Sequence, residues 1–211
     1  MKVMLINGSP HSEGCTYTAL SEVGRILSEE GIRSEIFHIG TKPIGGCTAC
    51  MRCGDLHRCV FDDRVNDFLA LAKEADGFIF GSPVHFASAG GAITSFMDRA
   101  FYADLRGGDG RFYLKPAAAV ASARRAGTTA TLDQMNKYFS LMQMPIVSSQ
   151  YWNMVHGASP DEVGKDLEGM QTMRVLARNM AWLLRCVESG RAAGLPRPVA
   201  EARRYTNFIR D

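Results

Sequence analysis

The chain has 211 residues, 46% of them apolar and 22% charged, with a formal net charge of +2. These values suit a single α/β domain with extra segments, and the charge is too small to argue for nucleic acid or an anionic membrane as a partner. The apolar start Val3-Met4-Leu5-Ile6 is too short for a signal-peptide core. No later stretch approaches the roughly eighteen apolar residues of a membrane helix, so a cytoplasmic location is expected.

Residues 2–7 read as a buried parallel strand running into Gly8-Ser9-Pro10. From Thr16 onward Leu20, Val23, Ile26 and Leu27 recur at helical spacing, with Gly31 at the expected stop. Arg33–Ile39 alternates as a second strand, and 41–59 is a loop rich in Gly and Cys. Asp62 is placed to cap a helix carrying Val65, Phe68, Leu69 and Ala72. Phe78-Ile79-Phe80 is a third strand broken by Gly81-Ser82-Pro83, and Ser88–Tyr102 a helix. Ala117–Ala121 is a fourth strand, Thr128–Met142 a helix, Ile146–Ser149 a weaker fifth strand, and Asp161–Glu188 one long helix.

Strands alternating with helices, without repeat or linker, specify a parallel sheet covered on both faces. The expected fold is therefore α/β and three-layered, with one domain over 1–189, the cysteine-rich loop 41–59 inserted in it, and a C-terminal arm over 190–211. In such sheets a ligand sits outside the carboxyl ends of the strands, so the loops 8–16, 81–88 and 122–127 are expected to meet at one site.

The first of these loops offers the hydroxyls of Ser9, Ser12 and Thr16 and the free amides of a helix N-terminus, a setting for a phosphate dianion. It is neither a Walker loop nor a dinucleotide fingerprint, and an ordinary Ser/Gly turn with a helix cap fits it equally. Pro83, Val84, His85 and Phe86 supply apolar and aromatic groups for a planar ring; Ser122, Ala123, Arg124, Arg125 and Gly127 supply amides and guanidinium for its electron-rich edge.

Four of the six cysteines fall in Cys47-x-x-Cys50-x-x-Cys53-x5-Cys59. Their number and spacing suit a [4Fe–4S] cluster, tetrahedral zinc, or a redox-active thiol pair. Arg52 and Arg58, beside them in the chain, would favour thiolate forms. Trp152 and His156 are lesser candidates for covering a ligand, Cys186 reads as core, and His38 has no partner identifiable from sequence.

Gly8-Ser9-Pro10 with Cys15-Thr16, Asp62-Asp63, Ala75-Asp76, Gly81-Ser82-Pro83-Val84 and Phe96-Met97-Asp98-Arg99 together resemble the NADPH-dependent FMN reductase family of the flavodoxin-like superfamily. With the cysteine spacing and Gly169-Met170-Gln171-Thr172, the chain most resembles iron–sulfur flavoproteins with a compact cysteine motif. The resemblance implies a flavodoxin-like fold with a five-stranded parallel sheet in the order 2-1-3-4-5. It implies FMN phosphate at Ser9, His11, Ser12, Cys15 and Thr16, and isoalloxazine between Pro83–Phe86 and Ser122–Gly127. It also implies a [4Fe–4S] cluster on Cys47, Cys50, Cys53 and Cys59, NAD(P)H or a ferredoxin as donor, and a homodimer or homotetramer. Two positions depart from the family pattern, His11 where Arg is usual and His85 where Tyr is common. No catalytic side chain is expected, because the cofactor carries the chemistry. A non-enzymatic flavodoxin-like carrier and a zinc or thiol redox sensor are the rival readings.

Overall fold

A computed structural model describes residues 1–199, 201, 204 and 206. Five parallel strands, β1 (Lys2–Asn7), β2 (Arg33–His38), β3 (Gly77–His85), β5 (Ala117–Ala123) and β6 (Met154–His156), lie in the order β2-β1-β3-β5-β6. The two-residue β4 (Ser88–Ala89) turns back antiparallel on β3. Counting the five parallel strands alone, this is the 2-1-3-4-5 order.

Period-two alternation decides which side chain faces which layer. Val3, Leu5, Ile79, Ala118 and Val120 pack under α1 (Cys15–Glu29) and α7 (Leu167–Ala192). Met4, Ile6, Phe78, Phe80, Ala117, Ala119 and Ala121 face α3 (Arg64–Ala72), α4 (Gly91–Gly107) and α5 (Thr128–Leu141). The second face is filled by phenylalanines, including Phe68 against Phe112 (centroids 5.9 Å apart) and Phe101 against Phe112 (4.6 Å). Alanines on β5 leave room for these rings at close-packed density.

Several expectations need correction. β3 is not broken at Gly81-Ser82-Pro83 but runs to His85. β1 ends opposite Gly81, so Pro83, paired on its other side with Ser122, removes no hydrogen bond from the ladder. The following helix begins at Gly91 rather than Ser88, because Ser88 and Ala89 are taken up by β4 and both bond to Gln134 Oε1. The cap of α3 is Asp63, not Asp62: its carboxylate accepts from the Val65 amide at 3.1 Å. The segment 146–149 forms only a bridge from Ile146 to Ala117, and the far end of β5 is covered by β6. The long C-terminal helix divides at Asp166 into α6 (Pro160–Lys165) and α7, because the Asp166 carboxylate caps α7 at the Gly169 amide. The cysteine loop contains one helical turn, α2 (Cys53–Leu56). Cys186 is exposed, off the phase of the buried stripe Met173-Leu176-Ala177-Met180-Leu184.

The expected arm from 190 begins as helix, since α7 continues to Ala192. Of the rest of 190–211, only residues up to 199 and 201, 204 and 206 are described. Among the described residues no helix is long and apolar enough to cross a membrane.

Candidate functional site

The turn after β1 is shaped by Asn7, which is fully buried. Its Oδ1 accepts from the Ser9 amide at 3.1 Å, and its Nδ2 donates to the Ser12 carbonyl at 3.0 Å. The Ser9 hydroxyl accepts from the His11 amide (3.1 Å), and His38 Nε2 donates to the Ser9 carbonyl (2.8 Å). His38 therefore has a partner that the sequence did not reveal. Gly8 approaches β3 so closely that a Cβ there would stand 2.7 Å from the Gly81 carbonyl oxygen. This turn delivers the chain to α1, whose N-cap is Gly14, with no side-chain cap and no acid in its first turn. The positive end of the helix dipole is left facing the cleft.

Loops from the carboxyl ends of β1, β3, β5 and β6 meet around a cleft of about 320 Å³. It is lined by Ser9, His11, Cys15 and Thr16, by Pro83 and Val84, by Ser122, Ala123 and Arg124, and by Gly157 and Ala158. The buried Thr16 and Ser122 hydroxyls share a 2.8 Å hydrogen bond across it. Ser12 lies in an adjoining hollow with His11 and Cys15. Burial first, then Glu162, pushes the Cys15 thiol pKa up against the pull of a backbone hydrogen bond.

His85, Phe86, Arg125 and Gly127 do not line the cleft. Gly127, at φ +98°, has no room for a Cβ, which would lie 2.6 Å from Ala87 Cα. It locks the third loop onto the β3–β4 hairpin. At the tip of that hairpin Phe86 and Ala87 both take left-handed conformations, φ 49° and 59°, and the Phe86 ring is fully exposed. Such turns favour Asn-Gly, so Phe-Ala here is strained. Asn7, His38, Gly157 and Ala158 are site residues that sequence reasoning missed. Trp152 and His156 lie outside the cleft lining. Trp152 stacks edge-on with Tyr151, and the His156 amide donates to Asp166.

Cys47, Cys50, Cys53 and Cys59 together line a second, smaller cavity of about 20 Å³, with Met51, Val60, Phe61, Tyr102 and Ala103 as its apolar wall. Cys53 is buried on α2; Cys47 and Cys50 are exposed at the rim. The Cys53 thiol pKa is raised by burial first and, after a backbone bond that lowers it, by the neighbouring Cys47, Cys50 and Cys59. Among the described residues no group of three or more His, Cys, Asp or Glu is placed to hold a metal ion. Ala49, Met51 and His57 take left-handed conformations in this loop. Two buried arginines hold the loop from below: Arg99 through Asp63, and Arg111 through Asp104 and the His57 carbonyl. Arg58 is occupied by Asp62 on the surface.

Residues 1–159 match the model of a family described as NADPH-dependent FMN reductase. An iron–sulfur flavoprotein of Methanocaldococcus jannaschii is 31% identical over 194 residues, spanning 89% of this chain and all of that one. Among solved structures, RosB with a bound 8-demethyl-8-formylriboflavin-5'-phosphate superposes with a TM-score of 0.71 at 15% identity, over 99% of this chain and 92% of that one. A WrbA-like flavodoxin from Agrobacterium tumefaciens gives 0.60 at 15% identity, over 88% and 96%. At such identities the structural likeness carries the fold, which is flavodoxin-like.

Proposed function

Because the chain belongs to the NADPH-dependent FMN reductase family, close to its iron–sulfur flavoproteins, we propose that this FMN-dependent oxidoreductase holds FMN in the 320 Å³ cleft and receives electrons through a [4Fe–4S] cluster on Cys47, Cys50, Cys53 and Cys59. The observation that carries the reading is the convergence of four carboxyl-end loops on the uncapped start of α1. A phosphate fits there by charge and by donors: the helix dipole, the hydroxyls of Ser9, Ser12 and Thr16, and the His11 ring, with Cys15 alongside. Asn7 and His38 hold the turn in shape, so its donors need little reorganisation on binding. Pro83, Val84, Ser122 and Ala123 flank the ring system, and Arg124 brings positive charge to the cleft. FMN, when bound, supplies the electron-accepting ring; the protein sets access and potential.

The four-thiol donor set of the second cavity suits a [4Fe–4S] cluster by ligand number. Tetrahedral zinc draws four thiolates around a single centre at about 2.3 Å each. A cubane spreads its thiolates over four irons, so their sulfurs stand farther apart while still lining one space. Four cysteines lining one cavity supply the number of thiolates that such a cluster requires. The exposed Cys47 and Cys50 leave its mouth open.

Protein purified without oxygen and reconstituted with iron and sulfide is expected to hold FMN and about four irons per chain. It is expected to be reduced by a ferredoxin-type donor faster than by NAD(P)H. Ser9→Ala and Thr16→Val are each expected to weaken FMN binding by tenfold or more, about 1.5–3 kcal/mol, from a lost charge-assisted hydrogen bond. Unchanged FMN affinity in both variants would place the phosphate elsewhere. One zinc per chain with no iron would overturn the cluster.

Assembly belongs to the same reading. Ile146, Tyr151, Trp152 and Trp182 are exposed apolar residues, and closed symmetry makes a dimer the commonest use of such surface. Light scattering at micromolar concentration is expected to report a homodimer or homotetramer; a monomer would contradict it.

A further inference from the structure

Arg99 enters the floor of the cysteine cavity from α4, forty positions from the nearest cysteine in the chain. It is only 2% exposed, and a guanidinium so deeply buried must be compensated. Nη1 and Nη2 fork onto the Asp63 carboxylate at 2.7 and 2.9 Å, the bidentate geometry that arginine favours. The same nitrogens reach the Gly45 carbonyl (3.4 Å) and the Phe61 carbonyl (3.3 Å). The remaining donor, Nε, is aimed at Cys59 Sγ, 3.2 Å away. A tie between α4 and the loop would be complete with Asp63 and the two carbonyls; the sulfur contact is additional to it.

Cys59 is held through its backbone as well as its sulfur. Its amide donates to Asn66 Oδ1 at 2.9 Å, and its carbonyl accepts from Asn66 Nδ2 at 3.0 Å. Backbone and sulfur are thus fixed together, whereas Cys47 and Cys50 stand exposed on a strained stretch of chain. One corner of the cavity is rigid and polarised, and the opposite rim is free to adjust.

We propose that Arg99 is a positioning residue that fixes Cys59 and, through its Nε–H···S hydrogen bond and its positive charge, raises the reduction potential of the cluster. The inference rests on the four cysteines being cluster ligands. Hydrogen bonds to ligand sulfurs and local charge are main determinants of cluster potential. Taking up one electron adds one negative charge to the cluster and its thiolates, and Arg99 favours that more negative form. Asp63 opposes Arg99 by partly neutralising it.

This opposition makes the test one of sign. In the anaerobically reconstituted, FMN-loaded full chain, midpoint potentials are measured by dye-mediated titration followed by visible absorption and electron paramagnetic resonance. Arg99→Lys keeps a positive charge but cannot serve Asp63 and Cys59 together, so the potential is expected to move negative. Asp63→Asn keeps an oxygen to cap Val65 and removes the opposing charge, so the potential is expected to move positive. A purely structural tie would lower iron content in both variants without shifts of opposite sign. Should Arg99→Lys fail to hold a cluster, the sign in Asp63→Asn decides alone. A fully loaded wild type whose variants titrate at its own potential, or shift together, overturns the inference and leaves the cluster reading standing. A wild type that takes up no stoichiometric iron and sulfide overturns both.

Discussion

Replacing Arg111 with leucine is expected to lower the stability of the fold by about 3–5 kcal/mol, among the largest single-residue effects in the molecule. The Arg111 side chain is 5% exposed, and its Nη1 bonds Asp104 (3.2 Å) and Asp109 (2.6 Å). Its backbone amide also donates to Asp104 Oδ1 at 3.0 Å. Leucine would leave the Asp104 carboxylate, itself 2% exposed, buried without its counter-charge. The cost is that of an uncompensated buried charge and far exceeds that of a surface ion pair. Among the described residues the Arg111 network leaves one buried donor, Nε, without a partner, so the pair is not an optimised source of stability. Its role is better seen in Nη2, which donates to the His57 carbonyl at 2.9 Å and holds the end of the cysteine loop near α4.

Three readouts follow. Urea unfolding of Arg111→Leu should give the loss above, equivalent to about 6–20 °C in melting temperature at this chain length. The double variant Arg111→Leu/Asp104→Asn should recover most of it, because the amide keeps an acceptor for the residue 111 amide without a charge. Cluster loading should fall in the single variant while FMN binding stays, since the phosphate turn is built from other residues. A loss below about 1 kcal/mol would show that the carboxylates find water instead.

The parts of the fold that were legible are those where local pattern and tertiary demand coincide. The run 3–6 is apolar throughout because β1 is covered on both faces, and the helical spacing of Leu20, Val23 and Ile26 is the stripe that packs on the sheet. The misread strands share one cause, that long-range pairing overrode local punctuation. Gly81-Ser82-Pro83 reads as a break, yet β5 holds it in the sheet. Ile146–Ser149 has the better strand composition, yet 154–156 pairs with the end of β5 where the cleft forms.

The site shows the same division. The residues of the first loop and the cysteine spacing are contiguous motifs, and motifs are visible in a sequence. Arg52 and Arg58 drew attention because they neighbour the cysteines, but the arginine that touches a sulfur is Arg99. Asn7 could have been suspected as a polar residue closing a buried strand just before a turn, the one local signal that was available. His38 and the Gly157-Ala158 segment carry no such signal, because only the sheet order brings them to the cleft.

Ser12→Asp is expected to lower FMN affinity by about a thousandfold or more while leaving the cofactor-free protein as stable as the wild type, or slightly more so. Ser12 is exposed at the tip of the first loop, and the turn is held through its carbonyl, which accepts from Asn7 Nδ2, so the side chain is free to change. Without FMN, a carboxylate beside the uncapped start of α1 meets a helix dipole that no acidic side chain in the first turn satisfies. Such a placement stabilises by about 0.3–1 kcal/mol. With FMN, the same carboxylate confronts a phosphate. Two unit charges 4 Å apart at an effective dielectric constant near 20 repel by about 4 kcal/mol, a factor of about a thousand in affinity. Raising the salt should recover part of the binding, because the repulsion is partly exposed to solvent. Ser12→Asn controls for shape, since it has the same size without the charge and should bind FMN within about tenfold of wild type. Equilibrium titration with FMN and thermal unfolding of the cofactor-free protein check the two halves. If Ser12→Asp binds FMN as the wild type does, the phosphate does not rest on this loop; if it unfolds more easily without FMN, the start of α1 is not the unsatisfied positive end described here.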